Sequence, residues 1–127
     1  MFKGTVWLEP ANSKEWELKR KFVYDAGKRG TVVAPAGMAT DGASVPFPLT
    51  LFFPRTDPRY IQSVIIHDAA LKYRRDISRR VIDGIFHGAL KDEGVPFLLR
   101  NCLVAGVRVY GVLIEQFGYF RPQKQKV

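Results

Sequence analysis

An α+β fold is predicted by a change of hydrophobic period along the chain and by the proline-rich run where the change occurs. Residues up to about 37 alternate with the period of two that marks half-buried strands, and residues from 57 onward repeat at the helical period. Between them lies "MATDGASVPFPLTLFFPRTDP", whose Pro46, Pro48, Pro54 and Pro58 suit an ordered, irregular loop. The predicted order is a small N-terminal antiparallel β-meander, a proline-rich loop, then three α-helices. One domain is expected over 1–127, with a β part at 1–37, the loop at 38–57, a helical part at 58–117 and a basic tail at 118–127.

"TVWLEP" is the first strand candidate. "EWELKRKFVYD" reads as one strand with Trp16, Leu18, Arg20, Phe22 and Tyr24 in a single phase. The glycine-bracketed "AGKRG" turns it into "TVVAPAG", where Pro35 suits a strand end. Asp57 is the predicted N-cap of the first helix, with Pro58 at its first position and an end near Tyr73. The second helix is predicted to begin near Asp76 to Ser78. Ile82, Ile85, Phe86, Ala89 and Leu90 form its inward stripe, and Gly94 stops it. Pro96 opens the third helix, "VPFLLRNCLVAGVRVYGVLIEQF". Arg100 and Arg108 argue against a membrane span, and Asn101, Arg108 and Glu115 trace one polar stripe, so a mostly buried helix is expected.

A chain of 127 residues is long enough to bury its own core, and 46% hydrophobic with 25% charged residues is an ordinary globular balance. The single cysteine, Cys102, excludes an internal disulfide framework and a cysteine-based zinc cluster. Its apolar surroundings predict a buried, inert thiol. A formal net charge of +8 favours anionic partners. The basic residues are scattered, however, and the aromatics do not interleave with them, so a nucleic-acid partner is not the favoured reading. "MFKGTVWLEP" has no apolar signal-peptide core.

Two polar stretches stand out. In the first helix Tyr60, Val64, His67 and Leu71 share a stripe, so His67 interrupts an apolar face, and Asp68 falls on the next stripe with Ile61 and Ile65. A histidine placed there is either hydrogen-bonded within the core or one of two adjacent metal-ligand types, His67 and Asp68. Asp83 borders the inward stripe of the second helix. It is either the i,i+4 ion-pair partner of Arg79 or faces His67 and Asp68 across the helix pair as a third ligand or a second carboxylate. His87, one turn further on, is expected to be exposed. In the loop, Asp41-Gly42 is a turn signature, and Asp41 and Ser44 can satisfy local backbone donors or form part of a site held by the apolar flanks. The candidate catalytic set is therefore Asp41, Ser44, His67, Asp68 and Asp83, and the candidate divalent-metal set is His67, Asp68 and Asp83.

Several chemistries find no motif. An HD-type phosphohydrolase needs a histidine ahead of its His-Asp pair, and His67 is the first histidine in the chain. H-E-x-x-H, a phosphate-cradling glycine loop and G-x-S-x-G are absent. A Ser44–His67–Asp triad lacks the strand-to-helix elbow.

The blocks "W-x-L…F-x-Y", "APAGMATDGASVP", "IIHDAAL" and "RRVIDGIFHGALKDEGV", in that order, resemble the phage and bacterial domain-of-unknown-function family 1353. The similarity runs from about Phe2 to Gly111. Asp41, Gly42, Ser44, Pro46, His67, Asp68 and Asp83 match that family's polar positions. Ala34, Met38 and Ile82 depart from its pattern, and Ala70-Leu71 shift the spacing after the His-Asp pair. The resemblance implies a phage or prophage origin and a recurring polar cluster, and no reaction.

Three functions fit. The first is a phage or prophage accessory or virion-associated protein, acting through protein–protein contacts in the host cytoplasm or the virion, with a structural His/Asp network. Its partners would be virion subunits, a host protein or a second copy. The second is a small metal-dependent hydrolase of cell-wall or phosphoester substrates, in which the metal lowers the pKa of bound water and a remaining carboxylate acts as base. The third is an inhibitor of a host defence protein.

Overall fold

The computed structural model describes residues 1–13, 15–40 and 58–117. The α+β prediction holds, as two antiparallel sheets of three strands followed by three helices. Strands β1 (Phe2–Lys3), β4 (Phe22–Asp25) and β5 (Thr31–Ala34) form one sheet in the order β1-β4-β5. Strands β2 (Leu8–Pro10), β3 (Trp16–Leu18) and β6 (Ala39–Thr40) form the other, in the order β2-β3-β6. The β4–β5 hairpin pairs Phe22 with Ala34 and Tyr24 with Val32, and a single 3-10 turn, Gly27–Arg29, joins the two strands.

The run "EWELKRKFVYD" is therefore two strands in two sheets. Leu18 and Phe22 are both fully buried, whereas Arg20, in phase between them, is exposed with its guanidinium 4.8 Å from the Trp7 ring centroid. Carrying the strand through Arg20 would turn a cation into the core, so the chain bends at 19–21 and changes sheet.

Helix α1 (Ile61–Tyr73) is the central element, packed against β4, β5 and α2. Ser63, Val64, Ile65, Ile66, His67, Ala69 and Ala70 are buried, which leaves it no broad solvent face. It starts later than the sequence suggests. Pro58 lies in a turn, Tyr60 is the N-cap residue without a side-chain cap, and Asp57 lies outside the described residues. The first-turn N–H groups of the helix as it starts at Ile61 are met by Glu93. The Gln62 and Ser63 amides donate to its carboxylate at 3.1 and 2.9 Å, and the Ser63 hydroxyl donates at 2.6 Å.

Helix α2 (Arg79–Asp92) matches its prediction. Ser78 caps it, accepting from the Val81 amide at 3.2 Å, and the five stripe residues are all buried. Glu93 follows, then Gly94 at φ 88°, a left-handed value that turns the chain into α3 (Phe97–Phe117). One apolar cluster joins Phe22, Val32, Ile65, Ile66 and Ile85 between the first sheet and α1/α2. A second joins Tyr60, Val64, Phe86, Leu90, Leu103 and Val107 between the helices. No helix among the described residues is long and apolar enough to cross a membrane.

Helix α3 departs from its expectation. It buries Leu103, Val104 and Val107, yet Phe97, Leu98, Val109 and Val112 are exposed, and so is Cys102. The cysteine is not a core residue. A helix apolar around most of its circumference gives no signal of which side turns inward.

Glu93→Ala is expected to destabilise the fold by about 1–2 kcal/mol, the cost of an uncapped helix start, with Glu93→Gln losing less. Urea unfolding of the three proteins measures both. Burial raises the Glu93 carboxyl above its ordinary 4.5, outweighing the hydrogen bonds that favour the anion. The fold thus favours the neutral acid. That contribution is complete below 4.5 and declines as pH rises through the raised value. Stability profiles above pH 4.5 should therefore lose this component in Glu93→Gln.

Candidate functional site

Two of the predicted site residues meet. His67, in the middle of α1, and Asp83, in the second turn of α2, place Nε2 and Oδ1 3.1 Å apart. The pair is closed off: His67 is 8% exposed and Asp83 3%. The His67 ring lies against Phe86, with centroids 4.6 Å apart and planes tilted by 43°, so one side of the imidazole is covered by an aromatic edge. Asp83 and Phe86 are three residues apart, which brings both to the α1-facing side of α2.

The ion pair expected between Arg79 and Asp83 does not form among the described residues, because Asp83 is turned inward to His67. Arg79 instead lays its guanidinium beside Gly111 of α3. A Cβ on that glycine would sit 2.9 Å from Arg79 atoms. A helical glycine there leaves room for the arginine over the α2–α3 seam.

Asp68 does not join His67 and Asp83. It lies on the neighbouring stripe, half-buried, with Oδ2 3.5 Å from Nζ of Lys72, one turn along α1. The same ammonium donates to the Ala39 carbonyl, tying this end of α1 to β6 and to buried Thr40. Asp41, Gly42, Ser44 and Pro46 follow directly and lie outside the described residues. His87 is half-buried, not exposed. Burial lowers its pKa first, and the neighbouring Arg100, Lys91, Arg108 and Arg29 lower it further.

A divalent metal needs three or more donors converging on one point. Among the described residues no group of three His, Cys, Asp or Glu side chains is so placed. His67 and Asp83 alone do not make a metal site, and their facing atoms are already in contact with each other.

Two carboxylates at the end of α2 escaped the sequence reading. Glu93 caps α1, and Asp92 accepts from the Tyr24 hydroxyl at 2.7 Å, linking α2 to β4. That bond lowers the Asp92 pKa, while burial and the same bond raise that of Tyr24. A signal was available. Acids at a helix C-terminus oppose the macrodipole, so "KDEG" implies partners elsewhere.

A family model described as "Protein of unknown function (DUF1353)" matches residues 16–107, and the chain belongs to that family. No curated protein and no solved structure matches it.

His67→Ala and Asp83→Ala should each cost about 1–3 kcal/mol, since each strands a buried polar partner. The pair His67→Leu with Asp83→Leu should cost less than the sum of its single changes by at least about 1 kcal/mol. Chemical denaturation of wild type, His67→Leu, Asp83→Leu and the double variant tests the last point, and strict additivity is the result incompatible with the contact.

Proposed function

We propose that this DUF1353 chain is an accessory or virion-associated protein of a phage or prophage. In this reading it works through protein–protein contacts, in the host cytoplasm or the virion, and His67 and Asp83 serve the fold. The observation that carries the proposal is the closure of the pair. An acid–base couple must present a reactive atom to a substrate within hydrogen-bond reach. Here Nε2 of His67 is spent on Asp83, the ring lies against Phe86, and both residues are buried. A buried polar pair whose members answer each other ties two helices into one packing arrangement. The phage origin and site of action rest on the resemblance of the polar blocks alone.

Metal content by mass spectrometry, on tag-free wild type and His67→Ala with melting curves for both, decides the role of the histidine. The expected result is no stoichiometric metal in either protein and a markedly lower melting temperature for the variant. Stoichiometric metal in the wild type, lost in a variant that still folds normally, would replace this reading with the metal-dependent hydrolase.

A further inference from the structure

Basic residues that scatter along the sequence gather at the turn between α1 and α2. Arg74 and Arg75 follow α1 directly, and Arg80 stands in the first turn of α2. Arg74 organises this corner. Its guanidinium donates to both oxygens of Asp76 at 2.9 Å and to the Thr31 carbonyl at 2.7 Å. It also lies against Gly30, where a Cβ would sit 3.7 Å from it. These contacts set the β4–β5 turn, with Lys28 and Arg29, beside the α1–α2 turn. Arg29 then lies over Gly84 of α2, whose Cβ would meet its Nε at 3.3 Å. Arg80 is one turn before Gly84 on the same face of α2.

Lys28, Arg29, Arg75 and Arg80 are all exposed, and none forms an ion pair among the described residues. The nearby carboxylates are engaged: Asp76 with Arg74, Asp68 with Lys72, and Asp25 with the Gly27 amide at 2.9 Å. Arg79 stands apart, its guanidinium beside Gly111. The first turn of α2 holds no acid, so nothing there offsets the positive end of the helix. Tyr73, the last residue of α1, is 52% exposed immediately before Arg74 and Arg75.

We propose that this corner binds single-stranded nucleic acid, with Lys28, Arg29, Arg75 and Arg80 on backbone phosphates and Tyr73 stacked on an unpaired base. This adds a second class of partner to the reading of the chain as a protein–protein contact module and does not depend on that reading. A bilayer fits less well. Interfacial segments set bulky apolar side chains beside their cations, and residues 72–80 offer only Tyr73 and half-buried Ile77. An acidic protein also fits less well, because such an interface has an apolar centre inside its charged rim. Phosphates and base faces are common to all sequences, so binding is largely sequence-independent.

The test uses the full chain in EDTA and a fluorescein-labelled oligothymidylate of about 20 nucleotides, followed by anisotropy. Four phosphate contacts give a log–log salt slope of about −3, hence a loss of about fiftyfold in affinity between about 50 and 200 mM salt. Arg75→Glu with Arg80→Glu should weaken binding at least about tenfold and bring the slope to about −1.5. Tyr73→Ala should weaken it about fivefold or more at an unchanged slope. Lys3→Glu with Lys21→Glu makes the same change in net charge at exposed positions, Lys21 lying at the far end of β4 from the turn. That control pair should cost less than about twofold at about 0.15 M salt, where distant charges are screened. All the substituted side chains are exposed, so every variant should melt like wild type. Tighter binding to a duplex, to polyglutamate or to phosphatidylglycerol vesicles overturns the proposal. So does a flat salt dependence, an unaffected Tyr73→Ala, or a control pair as damaging as the corner pair. None of these readouts involves His67, so failure here leaves the buried pair standing, and stoichiometric metal at His67 leaves strand binding measurable.

Discussion

A helix surrounded by protein must still satisfy the donors at its own start, and α1 meets that demand with a side chain from another helix. Its opening turn has no cap of its own, and the Glu93 carboxylate accepts from Gln62 and Ser63. Burial pushes that carboxyl toward its neutral form, so the arrangement sacrifices charge solvation to complete the hydrogen bonding. The consequence is geometric. Glu93 ties the end of α2 to the start of α1, and His67 with Asp83 ties the middle of α1 to the second turn of α2. Two ties at different heights fix the helices antiparallel, with the shared apolar faces in one register. Asp92, reaching Tyr24 of β4, then fixes the pair against the first sheet.

The His67–Asp83 and Glu93–Ser63 ties are polar in an apolar setting, and they are therefore more consequential for specificity than for net stability. Apolar replacement of a whole buried pair is often tolerated, while removal of one member strands the other. The helices of this chain have ample apolar surface with which to slide or rotate against one another. Small residues widen that freedom: Gly84, Gly88 and Gly111 allow Arg29, the Tyr24 hydroxyl and Arg79 to lie close to helix backbones. His67–Asp83 and Glu93–Ser63 select one arrangement among the many that apolar packing alone would accept.

How much of this was legible in the sequence depended on contrast. Helix α2 was read correctly because its five inward residues stand against charged neighbours, and Ser78 and Gly94 mark its ends. The alternation from Trp16 to Tyr24 was read as one strand because period alone does not say that Arg20 must stay outside. The α1 start was displaced because Asp57-Pro58 is a strong local signal, whereas the groups that serve that helix end come from residues thirty positions away. His67 was correctly turned inward, and Asp83 was identified as its facing carboxylate only as one of two options. Its i,i+4 spacing to Arg79 is equally compatible with an ion pair, and burial, which no local pattern encodes, decided against it. Asp41 and Ser44 lie beyond the described residues.

Helix α3 shows the same limitation from the other side. Its residues are apolar around most of the circumference, so the sequence suggested burial, and Cys102 was assigned to the core with it. Among its described side chains the structure buries those of one side. Leu98, Val109 and Val112 stay exposed on the other side, while a chain carrying +8 repels its own copies at long range. The interior polar ties serve that surface indirectly. By holding α1 and α2 in one register they fix the positions of Tyr60, Val64, Phe86 and Leu90, on which α3 packs Leu103, Val104 and Val107.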